Sequence, residues 1–403
     1  MPDVNRRQFL GAASALALRP ERILGANDRI GVAMIGCGER GLLKEVLQVA
    51  GAVNCEVVAV CDTWGQQRER AIAAVKAVGG RAPEPLVKWE DALSLKGVDA
   101  VVIATPDHQH ASQLAAAVRA GKDAYIEKPM AMHMKELLEA VDTVKKSGRV
   151  VQAGTQVRSW APSVAARAFV QSGGLGRIYK VEQSRNGPLP YWHSYGKRPI
   201  AEADVDWKAF LFNKRPRPFS SVQYGGWYGF RDFSSGPHTN LAVHFFDLVH
   251  YVTGAPQPKR VTTTGGHYRF KDDYDAPDSV EITLEYPDHG FLVRYNTTFG
   301  TGQNNYLKFF GTRGVLDGTR WNQPWVVTGE GATEDRAKDG PLPEAETTHH
   351  MQNFFECARS RKPPNAPIEA GYTHAVAAIM AEESYRRHSP VTFDAAKRQI
   401  KEG

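Results

Sequence analysis

The chain has 403 residues, 42% hydrophobic and 23% charged, a globular composition long enough for two cores. Its 50 basic and 44 acidic residues leave a net charge of +6 scattered along the chain, and no basic run interleaved with aromatics supports nucleic-acid binding. No apolar stretch reaches about 18 residues, so no membrane-spanning helix is expected.

At the N-terminus, Asn5-Arg-Arg-Gln-Phe-Leu10 and the alanine-rich Gly11 to Leu18 resemble a twin-arginine export signal ending near Ala26. Residues 1–26 are read as that signal and imply a periplasmic protein, or a cytoplasmic one if the signal does not work. Residues 27–150 are expected to form a dinucleotide-binding domain, 151–390 a second domain for substrate and oligomer contacts, and 391–403 a tail.

The apolar run Ile30 to Ile35 predicts a strand, and Gly36-Cys-Gly-Glu-Arg-Gly41 then carries the spacing GxGxxG, with a helix opening near Arg40. Gly36 permits a tight turn, Gly38 lets the backbone approach a pyrophosphate, and Gly41 allows helix and strand to pack closely. Phosphate would rest on unpaired helix amides, with Cys37, Glu39 and Arg40 around it. A second buried strand, Cys55 to Cys61, ends in Asp62, 26 positions after Gly36. A carboxylate there accepts ribose hydroxyls and repels a 2′-phosphate, which favours NAD, while Arg68 keeps NADP open.

A helix from Gln66 to Val78 and a proline-broken loop precede the strand Ala100 to Ala104, which ends in Thr105-Pro-Asp-His-Gln-His110. A helix from Ala111 to Ala120 leads to the strand Asp123 to Ile126 and then to Glu127-Lys-Pro129. Both segments lie beyond strand carboxyl ends, on the rim that carries the glycine turn. Thr105, Pro106, His110, Glu127 and Lys128 are therefore cofactor-site candidates. The four cysteines suit neither a disulfide framework nor a metal site, and no metal cluster is expected: His108 and His110 read as a rim contact and a helix start, His349 and His350 as a helix N-terminal pair.

Further on, Ile178 to Arg185, Arg260 to Tyr268, Ser279 to Tyr286, Phe291 to Thr298 and Tyr306 to Phe310 read as strands rich in β-branched and aromatic residues. Without helices between them, they imply a large, mostly antiparallel sheet separate from the parallel one. The connection from Asn186 to Phe233 is too long for a purely structural loop. Tyr191, His193, Tyr224, Trp227 and Arg231 within it are substrate candidates.

The motifs GCGERG, ATPDHQH and YIEKP, in this order and spacing, resemble the Gfo/Idh/MocA family of sugar oxidoreductases over residues 27 to 390. The resemblance implies an α/β fold, a Rossmann domain joined to a C-terminal α+β domain, homo-oligomers formed through the C-terminal sheet, and a small carbohydrate substrate. It also places Lys128 beside the nicotinamide and matches His244 to the family's histidine. Asn240, His244 and Asp247, at i, i+4 and i+7, share one helix face and join Lys128 as catalytic candidates. Many family dehydrogenases carry Asp where this chain has Asn240, and an amide cannot stabilise an imidazolium by charge, so Lys128, Asp247 or His193 is expected to take more of the proton work. An exported enzyme lacks a pool of free nicotinamide cofactor, so a tightly held one implies a closed redox cycle: two sugars exchanging electrons, or a glycoside oxidised, eliminated, hydrated and reduced. For elimination, Tyr191, His193, Tyr224 and His238 are candidate bases. A dinucleotide-binding sensor without turnover is the remaining class.

Overall fold

All six residues of the first strand, β1 (Ile30–Ile35), are buried. Cover on both faces is what an unalternating apolar run requires. The computed structural model describes residues 28–234, 236–331 and 335–403, so the expected export signal lies outside the described residues. After β1 the chain alternates through α1 (Leu42–Val53), β2 (Cys55–Cys61), α2 (Gly65–Ala77), β3 (Glu84–Leu86), α3 (Trp89–Ser94), β4 (Ala100–Ile103), α4 (His110–Arg119), β5 (Asp123–Ile126), α5 (Met134–Ser147) and β6 (Val151–Ala153). The strands make one parallel sheet in the order β3-β2-β1-β4-β5-β6. Strand order reverses between β1 and β4, where such sheets open a crevice. Because Val151 pairs with Ala124, the first domain runs past the boundary expected at residue 150.

α6 (Ala161–Gln171) leads to β7 (Ile178–Ser184), and the long connection that follows carries the short helices α7 (Tyr191–Gly196), α8 (Trp207–Leu211) and α9 (Ser221–Gly225). A π-helical turn, Pro237–Leu241, then opens α10 (Ala242–Thr253). Next come β8 (Arg260–Gly266), β9 (Ser279–Tyr286), β10 (Phe291–Thr298), β11 (Tyr306–Gly311), β12 (Gly314–Asp317), β13 (Val326–Gly329) and β14 (Gly340–Pro341). The chain closes with α11 (His350–Ser360), α12 (Ile368–Arg387), β15 (Val391–Asp394) and β16 (Gln399–Glu402).

The second sheet has the order β14-β13-β12-β11-β7-β10-β9-β8-β15-β16. β7 and β10 run parallel, and every other neighbouring pair is antiparallel. Along β10, Phe291, Val293, Tyr295 and Thr297 are buried while the residues between them are open, the alternation of a sheet covered on one face. Residues 391–403 do not form the expected tail, since β15 pairs with β8 and β16 with β15. α11 crosses back to the first domain: Met351, Phe354, Phe355 and Ala358 pack with Val32, Met34, Leu42 and Val46. Arg359 also donates to the carbonyls of Val53 (2.7 Å) and Asn54 (2.9 Å) at the C-terminal end of α1.

Candidate functional site

The glycine turn follows β1 directly, and its geometry fits a dinucleotide. Gly36 sits at φ +91°, and a Cβ there would come within 2.5 Å of the Ala104 carbonyl oxygen. A Cβ on Gly38 would meet nothing within 4 Å, so that backbone is open to a ligand. Gly41, at φ +74°, is the left-handed residue from which α1 starts. The Asp62 carboxylate accepts from the amides of Cys37 (2.8 Å) and Trp64 (2.9 Å), which pins it at the end of β2 facing the turn. Burial raises its pKa against those hydrogen bonds. Gly36→Ala is expected to cost about 2 kcal/mol or more of stability through backbone collision and strain. Gly38→Ala should leave the thermal unfolding midpoint unchanged and lower dinucleotide affinity in a titration.

A cleft of about 950 Å³ runs from this turn along the rim, lined by Glu39, Arg40, Asp62, Thr105 and Pro106. Its far wall comes from the second domain: Tyr195, Arg198, Phe210, Tyr224, Trp227 and Tyr228. The connection between β7 and α10 is thus a strap across the cleft. It is fastened by a bridge between Trp64 and Val205, by the Asp206 amide on the Thr63 carbonyl (2.9 Å), and by Arg198 on Glu39 (3.1 Å). Arg40 Nε forms an ion pair with Glu127 at 2.9 Å, while among the described residues its Nη2 is buried with no hydrogen-bond partner. An unsatisfied guanidinium nitrogen beside a glycine turn suits a pyrophosphate oxygen.

At the inner end of the rim, Lys128 Nζ donates to the Asn240 carbonyl (2.7 Å) and to Asn240 Oδ1 (3.2 Å). Tyr191 Oη donates to the same Oδ1 at 3.3 Å. The other end of that amide, Nδ2, reaches both oxygens of Asp107 at 3.0 and 3.2 Å, and Ser234 Oγ also donates to Asp107 at 2.7 Å. The amide can face only one way, because Asp107 is acceptor-only and the Lys128 ammonium is donor-only. Asp107 is the residue that sequence reasoning missed, although the rim motif ATPDHQH contains it. Burial lowers the Lys128 pKa, and Glu127 and Asp107 oppose the shift. Burial raises that of Asp107, opposed by His110 and Lys128. His244, one turn along from Asn240, is held neutral by burial and then by the nearby Lys128 and Arg40 charges, and among the described residues its buried Nδ1 has no hydrogen-bond partner.

Comparison with known proteins places this arrangement. A profile of the Gfo/Idh/MocA oxidoreductases, NAD-binding Rossmann fold, matches residues 30–155, and one for the C-terminal α/β domain matches 208–393. The chain belongs to the Gfo/Idh/MocA family. It is an oxidoreductase of that type. A scyllo-inositol 2-dehydrogenase (NAD(+)) of Bacillus subtilis is 24% identical over 90% of this chain and 96% of its own length. A glycosyl hydrolase family 109 protein of Shewanella putrefaciens is 26% identical over 53% of this chain, which spans about half (52%) of that relative. Among solved structures sharing the fold are an aldose-aldose oxidoreductase from Caulobacter crescentus complexed with glycerol and a levoglucosan dehydrogenase in complex with NADH and levoglucosan. The first has a TM-score of 0.70 at 16% identity, covering 91% of this chain and 100% of its own; the second has 0.68 at 19%, covering 90% and 99%.

Of the other residues expected in this Gfo/Idh/MocA site, several are engaged elsewhere. Asp247 accepts from Arg158 Nε and Nη2, both at 2.8 Å, and from His374 at 3.2 Å. Burial would raise its pKa, but the guanidinium and that imidazole hold it below the usual carboxylate range. It is a buried structural ion pair and not a proton acceptor for Lys128. His193 lies 2.8 Å from Asp272 and stacks on Tyr274. Arg231 binds Glu382, which also lies 3.2 Å from His238. Tyr224 hydrogen-bonds Thr63 at 2.9 Å, at the Asp62 end of the cleft. Trp227 stacks on Tyr228 at 3.7 Å in the strap wall. His110 is buried behind the rim, bracing the carbonyls of Thr105 (2.6 Å) and Pro129 (2.7 Å). Among the described residues no group of three or more His, Cys, Asp or Glu is placed to hold a metal, and no helix is long and apolar enough to cross a membrane.

Proposed function

We propose that this oxidoreductase acts on a secondary hydroxyl of a sugar, glycoside or polyol and holds its NAD tightly. The observation that carries the reading is Lys128, held by Asn240 with Asp107 behind it, at the rim shared with the glycine turn. When bound, NAD would supply the hydride acceptor. Gly36, Gly38, Gly41 and Arg40 would hold its pyrophosphate, and Asp62 its adenosine ribose, a carboxylate that would repel a 2′-phosphate and so favour NAD over NADP. Lys128, its pKa lowered by burial, takes the hydroxyl proton, Asn240 aims it, and neutral His244 is a second acceptor beside it.

Tight retention is supported by the strap, because a dinucleotide in the cleft would lie beneath residues 195–228. Denaturing protein purified without added cofactor and quantifying nicotinamide dinucleotide tests this. Near-stoichiometric release is expected, and an empty protein would remove the captive-cofactor reading.

Tyr191 favours a second reading, a redox-neutral glycosidase. Its phenol donates to Asn240 Oδ1 at 3.3 Å, beside Lys128, and because burial raises its pKa it would serve an elimination only by passing its proton to Lys128 as it takes one from the carbon next to a transient ketone. Loss of a ring deuterium to solvent during turnover would support that cycle, and full retention would count against it.

We further propose periplasmic export by the twin-arginine segment, with which a captive cofactor is consistent; fractionation of tagged cells tests it. A homo-oligomer through the second sheet is supported by Tyr179, Leu292 and Val326, exposed on its open face.

A further inference from the structure

Beside His244 lies a second cavity, of about 490 Å³, lined by Ser184, Arg185, Phe245, Asn305, Tyr306 and Trp321, together with Thr319. It lies where β7 ends, at Ser184 and Arg185. The Trp321 ring stands 6.5 Å from the His244 ring and 4.7 Å from that of Phe245, so a wall residue of this cavity adjoins a catalytic candidate.

The wall chemistry narrows the occupant. Trp321 offers an aromatic surface, held in place by Phe245 and by Trp160 at 6.4 Å. Most polar atoms around it are already engaged. The Asn305 amide is shared between Asn186 and Gly302, Ser184 Oγ accepts from Asn186, and Thr319 Oγ1 accepts from the Leu307 amide. Tyr306 Oη donates weakly to Asn296 at 3.4 Å. Arg185 is different. It is exposed, and among the described residues its guanidinium has neither a hydrogen bond nor an ion pair. Arg294, on the neighbouring strand β10, is neutralised by Glu281. A planar fork of donors left unpaired beside an aromatic wall matches a sugar bearing an anionic oxygen group.

We propose that this cavity is a substrate subsite for an anionic carbohydrate unit, with Arg185 on the acidic group and Trp321 against the ring. The proposal rests on the sugar-oxidising reading above and names its substrate class: an acidic sugar or glycoside, with carboxylate or phosphate as the two sources of charge.

Equilibrium binding to the full chain, by calorimetry at fixed salt, separates the two readings because it needs no turnover. The probes are methyl glucuronide, glucose 6-phosphate and methyl glucoside, titrated against the native chain and Arg185→Gln. The native chain is expected to bind one acidic probe about tenfold to a hundredfold more tightly than the neutral one. Whichever acid wins identifies the source of charge. Arg185→Gln should erase that margin, leaving the neutral affinity and the unfolding midpoint unchanged. Equal affinities in the native chain, or an equal loss for all three probes in the variant, would overturn the subsite. Absence of sugar oxidation while the acidic preference persists would instead overturn the proposed reaction.

Discussion

Asp107→Asn is expected to lower kcat by about a hundredfold, and Lys128→Met by about a thousandfold, with cofactor still bound in both. In the native cluster the Asp107 carboxylate receives Asn240 Nδ2, which fixes Oδ1 toward Lys128 Nζ at 3.2 Å. With an amide at position 107 the constraint is gone, and a flipped Asn240 would present NH₂ to an ammonium. The charge matters as well. Asp107 raises the Lys128 pKa against the larger effect of burial, so its removal should lower that pKa further and move the acid limb of the pH–rate profile to lower pH. A purely structural role would reduce activity without moving that limb. The exchange Asp107→Asn with Asn240→Asp, which returns a carboxylate one side chain closer to Lys128, should recover most of the lost activity. An unshifted pH profile and no recovery in the exchanged variant would together remove Asp107 from the mechanism.

Acidification from pH 7.5 to 5 is expected to destabilise the fold strongly. Burial pushes the His108 and His250 pKa values down to about 3 and that of His350 to about 4. Each is neutral in the folded chain and protonates near pH 6.5 once unfolded. The unfolded state therefore binds more protons throughout the window between those values, and stability falls as pH drops. At pH 5 the linkage amounts to about 2 kcal/mol per histidine. The raised pKa values of Asp62 and Asp107 work in the opposite direction and offset part of the loss. Thermal unfolding at pH 7.5, 6 and 5 should show a midpoint falling steeply below pH 6.5. His250→Gln, which keeps a polar group opposite Tyr286, should flatten that slope; a pH-independent midpoint would contradict the assignment.

Local pattern carries far in this chain. Ser279 to Tyr286 and Phe291 to Thr298 are strands over the residues expected, because an alternating β-branched run bounded by turn residues has few alternatives. The glycine turn and Asp62 were legible for a similar reason, since each needs only its own segment and a strand to stand on. Asp247 shows where such reading stops. Its helical spacing from His244 is real, but Arg158 lies 89 residues away in sequence and claims both carboxylate oxygens. Asn240 sits in a π turn, so spacing measured from it along an ideal helix misdirects. His193 and Arg231 likewise have acidic partners, Asp272 and Glu382, far along the chain. Asp107 went unread because its importance depends on Asn240, 133 residues away, and nothing at position 107 alone announces that contact.

The return of α11 to the first domain makes cofactor capture a late event in the life of the chain. One face of the parallel sheet is completed by Phe354 and Phe355, and the carbonyls of Val53 and Asn54 are met by Arg359. The first 155 residues therefore lack part of their own core until some 200 more have been synthesised. A nascent chain on the ribosome would have neither a finished sheet nor a strap when its glycine turn emerges, and a fragment cut at the domain boundary would expose that apolar face to aggregation.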